Sequence, residues 1–140
     1  MAGQDVLPTP RTGEAGPLDI TLPSAIESVP ELRAAAREFA RANGVAVPDD
    51  VALAVSEACT NVVMHAYDDE DADGWLHLTG RLDGELLYLT VGDRGHGMRS
   101  RRRSSGLGLG LAIMSAASKR LRIREATTGT EVELGFEIAG

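Results

Sequence analysis

The spacing of apolar and polar residues divides the chain into helical and strand-like segments. "LDITLP" (18–23) alternates, with Leu18, Ile20 and Leu22 on one side of a short edge strand. Ser28 and Glu31 form an S-x-x-E capping box, with Pro30 inside the first turn. A helix is therefore predicted through "ELRAAAREFARAN", stopping at Gly44, the left-handed cap position. In "VPDDVALAVSEACTNVVMHAY", Val51, Val55, Ala58, Val62 and Ala66 recur at three- and four-residue steps. That period predicts a second helix, from about Asp49 to Tyr67, packed on a sheet. After the polar break "DDEDADG", "WLHLTGRL" and "ELLYLTVGD" read as strands flanking Asp83-Gly84, a strong hairpin signal. "MRSRRRSSG" has no period and reads as a flexible loop. "LGLGLAIMSAASKR" reads as a third helix entered through glycines, and "LRIRE" and "TEVELGFEI" as closing strands around the turn "ATTG".

Most strand pairs are joined by hairpins, and strands do not alternate strictly with helices. The predicted class is α+β, a two-layer α/β sandwich. Its mixed, mostly antiparallel sheet of about five strands is covered on one face by three helices. A doubly wound sheet does not fit this order. Residues 1–17 hold three prolines and three glycines with little apolar content, the composition of a disordered tail. Residues 18–140 are enough for a single domain with one core.

Composition narrows the function classes. The chain is 43% hydrophobic and 25% charged, as soluble globular domains are. No apolar run approaches the roughly 20 residues of a membrane helix, and the start lacks the cationic-then-apolar order of a leader. Neither a membrane partner nor secretion is expected. One cysteine, Cys59, leaves no internal disulfide and fits a reducing cytoplasm. The formal charge of -7 argues against direct nucleic-acid binding. Basic charge is almost all arginine, Lys119 being the sole lysine.

Three stretches carry candidate chemistry. Glu57, Asn61 and His65 stand at steps of four on one face of the second helix. A carboxylate there can orient or deprotonate a hydroxyl, and an amide oxygen suits Mg²⁺ beside phosphate. The plain alternative is a solvated polar face. In "GLGLGLAIM", Gly106, Gly108 and Gly110 open a helix, and bare amides at a helix N-terminus suit an anion. Close helix-on-sheet packing is the alternative, although each interior glycine costs a helix about 1 kcal/mol. In "VGDRGHGM", Asp93 ends a strand ahead of Gly95 and Gly97, where a carboxylate can accept a hydrogen bond from an exocyclic amine. A hairpin-like turn would need the same glycines. Thr130 in "TTGTEVEL" can support that contact from an adjacent strand, or simply lead into the strand.

The order of these boxes resembles the histidine-kinase-like ATPase superfamily with its Bergerat ATP-binding fold. "SEACTNVVMHAY", "VGDRGHGM", "GLGLGLAIM" and "GTEVEL" look, more narrowly, like the anti-sigma-factor serine/threonine kinases. The resemblance runs from about Leu18 to Ile138. It implies that Glu57 polarises the attacking serine or threonine hydroxyl and that Asn61 holds Mg²⁺ against the triphosphate. It implies that Asp93 reads the adenine amine, with Gly95 and Gly97 making room and Thr130 beside the base. Gly108 and Gly110 match the lid around the phosphates of ATP or ADP. Gly106 stands in the same lid, where family kinases often carry a phosphate-reaching arginine, and the nearest arginines are Arg101, Arg102 and Arg103. Two functions follow from the resemblance. One is an ATP-dependent kinase that phosphorylates an anti-sigma-factor antagonist and sequesters a sigma factor. The other is a nucleotide-dependent binding module without phosphotransfer. The resemblance also implies a homodimer, joined through the sheet edge or the first helix.

The remaining conspicuous side chains read as structural. His65 is a helix-face residue without metal partners at ligand spacing, and His77 and His96 are strand and loop residues. Cys59 is core filler, and Trp75 packs the hairpin.

Overall fold

The computed structural model describes residues 17–67, 74–94, 107–126 and 129–138. The tail reading for the N-terminal stretch falls almost wholly outside these residues. Strand β1 (Leu18–Pro23) leads through a 3-10 turn (Ile26–Ser28) into α1 (Val29–Ala42), followed by α2 (Pro48–Tyr67). Strands β2 (Trp75–Asp83) and β3 (Leu86–Arg94) form a hairpin. Then come α3 (Leu107–Ala117), β4 (Arg120–Ala126) and β5 (Gly129–Glu137). The sheet order is β1-β2-β3-β5-β4. All four pairings are antiparallel, the limiting case of the mostly antiparallel sheet expected.

The two ends of α1 follow local chemistry differently. At the C-terminal end Gly44 has φ +88°, open to a residue without Cβ. Its N–H bonds the Arg41 carbonyl at 3.3 Å, and that of Val45 bonds Ala40 at 3.0 Å, the Schellman pair that a left-handed glycine allows. The expected capping box at the other end is absent. Ser28 already has helical dihedrals (φ -82°, ψ -16°) and caps nothing with its side chain. Its hydroxyl donates instead to the Pro23 carbonyl at 2.7 Å, tying the end of β1 to the helix start. An N-cap needs extended dihedrals, and the 3-10 turn ahead of α1 denies them to Ser28.

The β2–β3 turn also departs from expectation, by one residue. Asp83 pairs with Leu86, so the two connecting residues are Gly84 and Glu85 rather than Asp83 and Gly84. Gly84 has φ +66° and Glu85, like every described non-glycine residue, has negative φ, which is the type II′ pattern with glycine first.

Side-chain alternation then divides the sheet into two surfaces. Leu76 and Leu78 of β2, Leu87, Leu89 and Val91 of β3, and Val132, Leu134 and Phe136 of β5 are buried under the helices. Helix α2 lies over β3 and β5, and both α1 and α3 pack against α2. Of its predicted stripe, Val51, Val55 and Ala58 are fully buried and Val62 nearly so, while the Ala66 side chain lies outside the described residues. Each such aliphatic side chain contributes about 1.5–3 kcal/mol by leaving water. Cys59 sits in the same core, where burial pushes its thiol up to about 12, so it stays protonated as filler.

Helix α1 rests on the sheet through Phe39, and Gly80 makes room for that ring. A Cβ at residue 80 would lie 2.7 Å from Phe39 Cε2 and 3.0 Å from Leu89 Cδ2. Because Phe39 is itself buried, the ring has nowhere to retreat. Gly80→Ala is therefore expected to destabilise by about 2 kcal/mol, from overpacking. A thermal melt should fall by roughly 5–10 °C, and an unchanged melt would contradict this packing.

The other surface of the sheet carries polar residues, and no described helix covers it. Asp19 of β1 meets His77 of β2 at 2.8 Å, and Arg81 reaches Glu133 at 3.2 Å while lying 4.4 Å from the Tyr88 ring centroid. Trp75, expected to pack the hairpin, is 48% exposed. It has the parity of His77 and Arg81, pointing away from the helices, so the core has no place for it.

Candidate functional site

The predicted site residues come from three elements. Glu57 and Asn61 are both half-buried and one turn apart on α2. They lie between the buried stripe and an exposed edge carrying Leu53 and Met64. Asp93 stands near the end of β3, opposite Leu76, which is buried beneath the helices. That parity puts Asp93 on the helix-facing surface. Thr130, at the start of β5, shares parity with Val132 and Leu134, and is 7% exposed. Gly92 pairs with Glu131, so Asp93 and Thr130 fall at the same end of neighbouring strands and on the same surface. Since α2 crosses those two strands, helix face and strand ends border one region. No sequence distance announces that juxtaposition, because residues 61, 93 and 130 meet only through sheet order.

Helix α3 forms a further border by packing on α2. Gly108 and Gly110 fall in its first turn, where four N–H groups lack intrahelical partners. The axial dipole adds partial positive charge at that end, so it favours an anion. Gly95, Gly97 and Gly106 lie outside the described residues, as do His96 and the three arginines of the basic loop.

Whether these residues fit a nucleotide with Mg²⁺ can be tested on Asn61. Its Nδ2 is buried and has no hydrogen-bond partner among the described residues. Leaving such a donor unsatisfied costs about 1–3 kcal/mol, and Ser56 Oγ, beside Glu57 on the same helix, is likewise buried without a partner among the described residues. One helical turn away stands a carboxylate, and a bound polar ligand would satisfy the amide. The donor set of amide, carboxylate, strand-end carboxylate and glycine-lined helix start matches a phosphate-bearing ligand with a hard cation. Among the described residues no cluster of three or more His, Cys, Asp or Glu is arranged to hold a metal by itself. A cation here would need ligand phosphates to complete its shell.

A different recess was missed by the motif reading. On the helix-free surface Tyr88, Arg120, Leu121, Arg122 and Glu133 line a shallow pocket of about 240 Å³. The arginine alternation in "RLRIRE" was its visible signal. The convergence with Tyr88 depends on strand order.

Comparison with known proteins places this geometry. The model of the histidine kinase-like ATPase domain matches residues 22–136. The anti-sigma F factor of Bacillus velezensis is 37% identical over 49 residues, 35% of this chain and 33% of that protein. The serine-protein kinase RsbW of Halalkalibacterium halodurans is 35% identical over 80 residues, 56% of this chain and 48% of that protein. The chain thus spans half or less of the curated relatives it matches. Among solved structures, the RsbU and RsbW domains of Rv1364c from Mycobacterium tuberculosis superpose with a TM-score of 0.69 at 28% identity, covering 89% of this chain and 33% of that one. A blue-light activated histidine kinase from Erythrobacter litoralis gives a TM-score of 0.53 at 27% identity, over 65% of this chain and 30% of that one. Among the described residues no helix is long and apolar enough to cross a membrane. The chain belongs to the histidine kinase-like ATPase domain family, and its resemblance within that family is to the anti-sigma-factor serine/threonine kinases.

Proposed function

We propose that the protein binds ATP with Mg²⁺ and acts as a cytoplasmic serine/threonine protein kinase. On this reading its substrate is an anti-sigma-factor antagonist, and it sequesters a sigma factor. The observation that carries the reading is the buried Nδ2 of Asn61, a donor with no hydrogen-bond partner among the described residues, one turn from Glu57. Kinship with a serine-protein kinase and an anti-sigma F factor supports the chemistry assigned to it.

The residues then divide the work. Mg²⁺ bound with the nucleotide supplies charge neutralisation at the phosphates. Asn61 offers its amide oxygen to that cation. Asp93, with Thr130 beside it, accepts a hydrogen bond from the exocyclic amine of the base and sets its register. Gly95 and Gly97 leave room for the ring, and Gly106, Gly108 and Gly110 let backbone amides approach phosphate. Glu57 holds the acceptor hydroxyl and takes its proton as the oxygen attacks the γ-phosphorus. The bond to the ADP oxygen breaks, and ADP leaves. Positioning and charge neutralisation account for most of such a rate.

A second reading has one feature in its favour. Gly106 stands in the place of a phosphate-contacting arginine, which fits nucleotide-dependent partner selection without transfer. Both readings require the pocket, so the first experiment is calorimetric titration with ATP and ADP, with and without Mg²⁺. Wild type should bind Mg²⁺-ATP, and Asn61→Ala should weaken binding about tenfold or more, the loss of a charge-assisted contact. The same substitution should leave the ligand-free melt unchanged or raise it, by up to about 1 kcal/mol, because it removes an unpaired buried polar group and improves helix propensity. A residue kept for architecture alone would do the reverse. Absence of nucleotide binding under every condition would remove both readings.

A further inference from the structure

We propose a second recognition site at the free edge of β4, which takes an extended acidic segment of a partner protein with its carboxylates on the helix-free surface. It lies across the sheet from Glu57 and Asn61 and does not rest on the nucleotide reading.

Three observations converge on it. Strand β4 closes the sheet at one end, so its outer backbone groups have no strand beside them among the described residues. Arg120, Arg122 and Arg124 share one parity and are all exposed. Among the described residues only Arg124 has a carboxylate partner, Glu131 at 3.4 Å. Arg120 pairs across the ladder with Gly135, which offers none. Arg122 stands opposite Glu133, but that carboxylate is engaged by Arg81 at 3.2 Å, over the Tyr88 ring. Two guanidiniums therefore flank the 240 Å³ recess without an ion pair among the described residues, in a chain of net charge -7.

Charge on an edge strand is also how proteins prevent unwanted pairing. A row of arginines repels a cationic strand, but it attracts an acidic one. The protein displays the pattern that suits β4. On its inner side β4 is already paired with "TEVEL" of β5, which sets Glu131 and Glu133 beside the arginines and Val132 and Leu134 beside Ile123 and Leu121. Leu121 and Ile123 remain half-buried at the outer edge. A strand of alternating acidic and apolar residues would place carboxylates on Arg120 and Arg122 and apolar side chains against Leu121 and Ile123. Main-chain bonds then give affinity and the alternation gives specificity. Nucleic acid fits poorly, since it carries no alternate apolar side chains to meet Leu121 and Ile123.

The test is fluorescence anisotropy on the full chain with a labelled peptide, Thr-Glu-Val-Glu-Leu-Glu-Thr. Saturable binding is expected, with none for the version carrying lysine at each glutamate. The double variant Arg120→Ala/Arg122→Ala should weaken it about tenfold, two exposed ion pairs' worth. Arg33→Ala, an exposed arginine of α1, should leave it unchanged. All these side chains are exposed, so matched melts should show that the variants stay folded. No binding by wild type, equal binding by the double variant, or preference for a single-stranded oligonucleotide of equal charge would each overturn the proposal.

Discussion

Glu57→Gln is expected to lower phosphoryl transfer to a serine-bearing protein acceptor by about 10²–10⁴-fold, the usual contribution of a positioned proton acceptor. Affinity for Mg²⁺-ATP should stay within about threefold. The substitution keeps size and hydrogen-bonding reach and removes only the capacity to take a proton. Glu57 is half-buried and no part of the apolar stripe of α2, so folding should be untouched. Radiolabel transfer under single-turnover conditions separates the chemical step from nucleotide binding and product release. Transfer at the wild-type rate would strip Glu57 of this role. Wild-type protein that binds nucleotide but transfers to no acceptor would favour the binding-module reading, in which Gly106 is the telling residue.

Leu89→Ala should produce the largest loss of stability of any single truncation considered for the sheet. Leu89 is fully buried at the centre of β3, with Gly80 across one ladder and Leu134 across the other. Removing three carbons there forfeits transfer energy and leaves a void, together about 3–5 kcal/mol. The void is not refilled from the Gly80 side, since glycine has no side chain to move in. Urea melts should show the midpoint falling with little change in slope. Thr90→Ala, one residue on and facing the helix-free surface, should cost below about 1 kcal/mol. Comparable losses at the two positions would mean that the surfaces have been assigned wrongly. The pair Leu89→Ala and Gly80→Ala should also be non-additive, because a Cβ at residue 80 would meet Leu89 Cδ2 at 3.0 Å.

Element identity was legible in the sequence because helix and strand periods are local. The stripe Val51, Val55, Ala58 and Val62 predicted which side of α2 would be buried, and it is. Gly44 predicted the left-handed end of α1 for a reason contained in one residue. The errors arose where a local signal had a nonlocal competitor. Ser28 has the right neighbour for a capping box, but its hydroxyl finds the Pro23 carbonyl once β1 folds back beside the helix. Asp83-Gly84 signals a turn, yet strand register set the turn one residue later and used Gly84 at its first position. Trp75 is large and apolar, but parity along β2 turned it outward.

For the candidate site the division is similar. Motif order alone pointed to Glu57, Asn61, Asp93 and Thr130, since spacing along one helix and at strand ends can be read without a fold. That Asp93 and Thr130 share a surface under α2 depends on β3 and β5 being neighbours, and antiparallel pairing across more than thirty residues is not written in any local pattern. The orphaned amide of Asn61 is likewise a property of burial, which arises only when the surrounding elements pack. The two unpaired arginines of β4 depend on Glu133 turning toward Arg81 instead of Arg122. The chain by itself determined its elements, its apolar faces and the kinds of chemistry it carries, because those follow from neighbours within a few residues. Which polar groups are buried, paired or left open was decided by the tertiary structure, because that depends on which distant segments share a surface.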